Sequence, residues 1–453
     1  MAYGELFSLN TAAYSSADII ERDVVIIGGG STGTYSAVRL RDHNKSVVVV
    51  EKKGTLGGHA ETWVNPITGY TVDIGVVVFS HFKVVTDYFA RFNVSLVNFP
   101  INFSGAGEYV DFATGETVDF QPPSNDAFMA ALDSYQTQLK RYPELQDGFN
   151  MTYPVQPDLL LSFRDFVEKY QLQDLVSRVF ITNQGFSPLL DLSMLYIFKY
   201  LNAGELDNLK EGFLTTVNHD IQELYQKATA FLEPDVLLNS TVVTMDRSGS
   251  GSYPVRVVVQ TPTGPKLIVA KKVISTVPPK PENLGGYDLS QDETALFGQF
   301  YANGYYTGIL NNTGIIEALT ATGPGQPFDV PKLPGLYTVG LTAENLTQVY
   351  YGSPTIMSED EVKADIIASI QRIQKAKGIS TDVEPDWLIF SSHAPFNLMV
   401  PNEAIQNGFY RDLYALQGQR NTFYNGAAWH TQDSSVLWQF TENYIVPMCL
   451  ASL

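Results

Sequence analysis

Hydrophobic positions form short continuous runs near the start of this chain and shift to helical spacing further along. Asp23–Ile27 reads as an apolar strand, Gly28–Gly33 as a glycine turn, Thr34–Asp42 as a helix and Val47–Glu51 as a second strand. This order predicts a βαβ unit. Glu61–Val64 and Tyr70–Asp73 are expected to pair as a hairpin around Asn65-Pro66-Ile67-Thr68-Gly69, with Gly75–Phe79 as a further buried strand. Residues 1–21 carry neither period and read as a loosely ordered leader.

From about Asn125 to Ala230 the spacing turns helical. Ser162-x-x-Asp165 is a capping-box-like start, followed by Phe163, Phe166, Val167 and Tyr170 on one face. Strand alternation returns over Val236–Val277, with Ser248-Gly249-Ser250-Gly251 and Thr263-Gly264 as hairpin turns. A later helix starts at the cap Ser358-x-x-Glu361, buries Val362, Ile366, Ile370 and Ile373, and stops at Gly378. No repeat of fixed period is present.

Composition narrows the function. At roughly 150 residues per domain, 453 residues suggest two or three domains or one interlaced body. Lys and Arg number 29 against 48 Asp and Glu, and the net charge of -19 repels phosphate backbones and anionic lipid, which excludes nucleic acid as a partner. No apolar run approaches the length of about 20 residues that spans a bilayer. Cys449 stands alone, so there is no disulfide within the chain, no multi-cysteine metal site and no CxxC pair. The 25 Tyr and 26 Phe either pack the core or line a large flat pocket.

No signal peptide is visible at Met1–Ile20, and the ending Ala451-Ser452-Leu453 lacks the basic residue of a peroxisomal address. Seven N-x-[ST] sequons, at Asn44, Asn93, Asn102, Asn150, Asn239, Asn311 and Asn345, favour a secreted, N-glycosylated mature form over a cytoplasmic one.

The most informative motif is Gly28-x-Gly30-Ser31-Thr32-Gly33, which follows a strand and opens a helix. The first glycine permits the tight turn, the second lets the backbone approach a pyrophosphate, and the third allows close helix–strand packing. The helix N-terminus supplies partial positive charge. Glu51, followed by Lys52, closes the second strand where a carboxylate accepts hydrogen bonds from ribose hydroxyls.

Glu51 to Gly58, with its second glycine pair Gly57-Gly58 before His59, resembles the signature of the FAD-dependent amine oxidase superfamily. The resemblance implies that this backbone supports the flavin diphosphate and that Asp73-x-Gly75, with Val76, runs beside the isoalloxazine. It further implies an adenine contact from Val242 and a return to the FAD domain through Val273–Pro279. Asn421–Trp429, with Gly426 and Ala427, and the helix opening at Ser434, Ser435 and Val436 resemble the terminal flavin motif. Such a helix would point its N-terminus at the flavin pyrimidine, capped by Asp433 or Ser434. The family usually places Glu where Ala427 stands. Within the superfamily, Gly57-Gly58-His59-x-Glu61-Thr62 and Gly426-Ala427-Ala428-Trp429 look most like fungal beta-cyclopiazonate dehydrogenase-type flavoproteins. Gln417–Tyr424 is also similar to bacterial polyunsaturated fatty acid isomerase.

The fold expected is α/β: a Rossmann-like FAD-binding domain interlaced with a mixed α+β substrate domain. The FAD domain is assigned 22–80, 206–284 and 386–453, and the substrate domain 81–205 and 285–385. The cofactor expected is FAD, with His59 either touching the flavin or linked to it covalently. His393, Trp429 and His430 join His59 as candidate catalytic residues, while His43, His81 and His219 have no supporting pattern. No metal-ligand spacing, no G-x-S-x-G elbow and no second dinucleotide fingerprint appears. The activity implied is hydride removal from a small organic substrate, an amine or secondary metabolite, with O2 or another acceptor. An isomerase of unsaturated lipids and a non-catalytic escort of the same fold are the alternatives.

Overall fold

The computed structural model describes residues 7–100, 107–182, 185–380 and 383–453. Asn102 of the sequons lies outside them. The expected βαβ start forms as strand β1 (Ile19–Ile27), helix α1 (Ser31–Asp42) and strand β2 (Val47–Val50), with β1 and β2 parallel. Val24 to Ile26 and Val47 to Val49 are fully buried, as a parallel strand covered on both faces requires. They belong to a seven-stranded sheet ordered Thr241–Asp246, Val255–Thr261, Gly264–Ser275, β1, β2, Val236–Leu237, with Thr422–Tyr424 added alongside Gly264–Ser275.

β1 begins earlier than the sequence suggests. Ile19 to Arg22 pair in register with Leu267 to Ala270, and Phe7, Leu9 and Tyr14 pack on Val258, Leu267 and Val269. The reading of 1–21 as a leader is therefore corrected for the described residues. Widely spaced apolar side chains there cover a sheet face that would otherwise meet water.

A second seven-stranded sheet runs Asp386–Ser392, Gly304–Asn311, Thr347–Ser353, Gly335–Leu341, Leu319–Ala321, Glu108–Asp111, Glu116–Thr117. Asp386–Ser392 thus pairs with Gly304–Asn311 and not with the first sheet, which corrects the boundary placed at 386. The chain rejoins the first sheet at Thr422. Thr307 and Tyr350 are register partners, so Tyr305, Thr307 and Tyr350 project from one face, toward Asp73 and Ile74. There Thr307 Oγ1 donates to the Ile74 carbonyl and the Gln348 side chain to that of Asp73.

Helix Glu359–Lys377 covers the opposite face of this sheet, where the Tyr351 hydroxyl donates to Asp365. Ser358 and Glu361 make the full capping box, Val362, Ile366, Ile370 and Ile373 are fully buried, and Gly378 ends the helix at φ +65°. Phe163–Tyr170 likewise starts with the Ser162 hydroxyl accepting from the Asp165 N–H. Among the described residues the helical region contains one exception, strand Phe213–Thr216, paired with Leu96–Phe99.

The hairpin Thr62–Val64/Thr71–Asp73 is present. Gly75–Phe79 is extended without being the expected strand, and only Phe79 makes a bridge, to Leu214. Its bonds go to scattered partners in place of a neighbouring strand: the Val76 N–H donates to the His59 carbonyl at 3.0 Å, and Thr215 Oγ1 donates to Val77 O at 2.7 Å. Four of the sequon asparagines, Asn44, Asn93, Asn239 and Asn345, sit at positive φ, a conformation that asparagine tolerates.

Candidate cofactor and substrate site

The corner between β1 and α1 is built by glycine. Gly28 turns at φ +98°, and a Cβ on Gly33 would stand 1.9 Å from the Gly28 carbonyl oxygen. A Cβ on Gly30 would meet only the Gly58 Cα, at 3.8 Å, so this position faces open space. Gly57 bridges to Gly30, which lays the second glycine loop along the first. Glu51 is buried and accepts from the N–H groups of Gly29, at 2.6 Å, and Lys53, at 2.7 Å. α1 has no side-chain cap, leaving its first N–H groups for an anion.

The terminal helical run, opening at Ser434, comes to the same corner. Ser31 and Ser434 share a hydrogen bond of 2.8 Å between their hydroxyls, and Ser435 Oγ accepts from the Ser80 N–H at 2.9 Å. Asp433 caps the run by accepting from the Ser435 N–H, with Val436 buried behind it. Two helix N-termini, a glycine cradle and a buried carboxylate therefore converge, a donor and acceptor set that fits the diphosphate and ribose of a dinucleotide. Lys52 is exposed beside Glu51. Val242 packs on the apolar cluster that contains Ile27 and Val50.

His59 and His393 meet edge to face, with ring centroids 4.7 Å apart. His393, directly after the strand Asp386–Ser392, is 1% exposed and stacks on Tyr305 at 5.3 Å, while Phe396 packs beside His59. Its Nε2 lies 3.2 Å from the Ile74 carbonyl. A carbonyl only accepts, so Nε2 carries the proton and Nδ1 keeps its lone pair. Burial lowers the His393 pKa to about 4, although the Glu61 charge and the Ile74 carbonyl oppose it. Burial, then the charge of His393, hold His59 well below the ordinary histidine range. Glu61 bonds both Lys53 and Ser391, and these partners outweigh its desolvation and keep it below the usual carboxylate range.

The four candidate catalytic residues do not form one group. Trp429 is fully buried, stacked on Tyr424 at 5.1 Å with planes 3° apart, and its carbonyl accepts from the Tyr414 hydroxyl. This placement gives the indole a packing role against Tyr424. His430 lies with Lys199, Ala427 and Thr431 around a separate small cavity. His43, His81 and His219 are exposed.

Comparison with known proteins agrees with this geometry. The sequence profile of flavin containing amine oxidoreductases matches residues 32–305. The chain belongs to that family. A relative from Cochliobolus heterostrophus named FAD-dependent oxidoreductase oblC is 40% identical, covering 98% of this chain and 95% of its own length. Beta-cyclopiazonate dehydrogenase of Aspergillus flavus is 33% identical over 95% of this chain and 94% of its own. Among solved structures, the CLA-producing fatty acid isomerase from P. acnes superposes with a TM-score of 0.74 at 17% identity, covering 94% of this chain and 98% of that one. That likeness concerns the fold. FAD, the cofactor expected from the glycine motifs, is the one this family and these relatives indicate.

In this flavin oxidoreductase, two titratable residues that burial shifts escaped the sequence reading. Lys199 is fully buried on helix Met194–Tyr200, and its signal was a single cation inside an otherwise apolar helix. Burial, then the Asp433 charge, push the Glu205 carboxyl up to about 8. Glu205 and Asp433 lie more than two hundred positions apart, and no spacing relates them. Among the described residues no helix is long and apolar enough to cross a membrane, and no group of three or more His, Cys, Asp and Glu is placed to hold a metal ion.

Proposed function

We propose that the protein removes hydride from a C–H bond of a small organic substrate, adjacent to nitrogen or in an allylic or benzylic position. When bound, FAD supplies the hydride acceptor. The observation that carries this reading is the uncharged wall formed by His59, His393, Tyr305 and Phe396 directly after the glycine cradle. These rings orient an apolar substrate and exclude water, while the lone pair on His393 Nδ1 receives a proton released from it. Glu61, held by Lys53 and Ser391, positions the His393 strand against the cradle.

The domain division belongs to the same proposal. The first sheet and the terminal helical run hold the cofactor, and the second sheet with the helices between 125 and 211 encloses the substrate.

The test is anaerobic mixing of the FAD-loaded protein with a panel of secondary amines and allylic alcohols, followed at the flavin absorbance. Bleaching on mixing, and peroxide or a reduced dye formed in step with product once an acceptor is admitted, support hydride removal. Sustained anaerobic turnover without an acceptor replaces it with hydride return, an isomerisation. A purified protein without flavin absorbance overturns both. Flavin that stays with acid-precipitated protein, and is lost from His59→Ala, assigns His59 a covalent link; flavin in the supernatant assigns it contact only.

A further inference from the structure

Three tyrosines meet on adjacent strands of the second sheet, on the face where Tyr305 stacks against His393. Tyr305 pairs with Gly352 and Thr307 with Tyr350, so Tyr305 and Tyr350 are diagonal neighbours. Gly352 has no side chain, and a Cβ on it would stand 3.4 Å from the Tyr337 ring, which therefore lies beside Tyr305 on the same face. A fourth tyrosine, Tyr200, ends helix Met194–Tyr200. A Cβ on Gly185 would stand 2.3 Å from the Phe396 ring, which packs on Tyr305 at 5.0 Å, and the next residue, Phe186, packs on Tyr200 at 4.4 Å. Asn303 fixes this link by donating to the carbonyls of Gly185, at 2.7 Å, and Ser187, at 3.0 Å.

Tyr305 and Tyr337 are buried, whereas Tyr200 and Tyr350 are half-buried, and the hydroxyls of these two have no hydrogen-bond partner among the described residues. Burial nevertheless pushes the Tyr350 hydroxyl up to about 12, and burial, then the Glu205 charge, raise that of Tyr200. Their accessible surface thus faces an enclosed space and not bulk water. Burial, then the hydroxyls of Tyr337, Tyr350 and Tyr200, hold Tyr305 well above the ordinary tyrosine range, so all three lie within electrostatic reach of it. Each stays protonated at neutral pH and can donate.

The carboxyl groups around them are engaged or uncharged. Glu61 is held by Lys53 and Ser391, and Asp433 accepts from the Ser435 N–H at 2.8 Å. Glu205, pushed up to about 8, is largely protonated at neutral pH. A substrate ammonium would bring only donors and a charge to this lining, while an oxygen acceptor meets the unused donors of Tyr200 and Tyr350.

We propose that Tyr200 and Tyr350, set beside the rings of Tyr305 and Tyr337, form a donor cluster that selects an uncharged carbonyl compound, whose oxygens accept from them, over a substrate that carries an ammonium group. This names the substrate class for the reaction proposed above, and it rests on that reading only for the histidine wall being where the substrate lies.

The experiment is equilibrium dialysis of the FAD-loaded protein at pH 7 against two flat probes, 4-phenylbut-3-en-2-one and N-methylbenzylamine, with the carbonyl stretch of the bound ketone read by isotope-edited infrared spectroscopy. The ketone should bind about 10-fold tighter than the amine or better, with its stretch below the value in an apolar solvent. Tyr200→Phe and Tyr350→Phe should each weaken the ketone by about 5–10-fold, raise its stretch and leave the amine affinity unchanged. An amine that binds the wild type as tightly as the ketone, a ketone that does not bind, or a stretch that neither variant moves overturns the proposal. The two readings fail separately. Flavin that no compound bleaches, with the ketone bound and its stretch lowered, overturns hydride removal and keeps the donor cluster, whereas bleaching by an amine with the ketone unbound does the reverse.

Discussion

Ser31 and Ser434 are 403 positions apart in the sequence and share a hydrogen bond of 2.8 Å. The bond joins the first turn of α1 to the first turn of the terminal helical run, so the two ends of the chain close over one glycine corner. Both helices direct partial positive charge there, and an anionic diphosphate is the ligand chemistry this arrangement favours.

Substitutions at two glycines of that corner should separate binding from folding. Gly30→Val places its side chain in open space, so thermal stability should change by less than about 0.5 kcal/mol while flavin is lost on gel filtration. Gly33→Ala drives a Cβ into the Gly28 carbonyl and should cost about 1–3 kcal/mol of stability. Retention of flavin by a folded Gly30→Val protein would show that this cradle is not where the diphosphate lies.

The His393 imidazole gives stability a defined pH dependence. Its pKa falls from an ordinary value near 6.5 to about 4 on folding, so between those values the unfolded chain binds more protons than the native protein. Stability should therefore decrease as pH drops through this window, by up to about 3 kcal/mol from this residue. His59 and His430 act in the same direction, while Glu205, raised to about 8, loses stability as pH rises from the ordinary carboxylate range. Urea titrations of wild type and His393→Phe at pH 4.5 and 7 isolate the His393 share as the difference between the two slopes. Parallel curves would contradict the assignment.

Trp429 is expected to behave as a packing residue. Trp429→Phe keeps an aromatic ring against Tyr424 and should retain most activity, whereas Trp429→Ala should cost about 3–5 kcal/mol. Loss of turnover in a stable Trp429→Phe protein with full flavin content would return the indole to the site.

Arg247 is fully buried and bonds Asp288, Glu293 and the Tyr424 hydroxyl, linking the first sheet to helix Gln291–Phe297 and to the terminal strand. Arg247→Met removes the nearer of two cations from the buried Glu293 charge, leaving Arg420 at 3.5 Å, and should destabilise by about 3 kcal/mol. Adding Glu293→Gln should recover part of that loss, measured by a double-mutant cycle in denaturant. A single variant within about 0.5 kcal/mol of wild type would mean that the pair is not closed in solution.

How much was legible in advance differs between elements for physical reasons. The Ser358 cap and its buried isoleucine stripe depend on neighbours three and four positions away, so periodicity alone located that helix. Gly75–Phe79 has the composition of a buried strand, yet strand identity requires a partner, and side chains such as Thr215 occupy the bonding positions instead. Ile19–Arg22 shows the reverse case. A mixed-polarity stretch became sheet because Leu267–Ala270 lies beside it.

The sequence by itself determined the glycine corner and the acidic residue after β2, because each is a local requirement of backbone conformation or close approach, and it indicated the flavin family and the terminal motif by resemblance. Only the tertiary structure decided that His59 meets His393, that Trp429 is core, and that Lys199 reaches His430 from 231 positions away. Those relationships arise from which sheet faces and helix ends are packed together, and from the burial that this packing imposes on their charges.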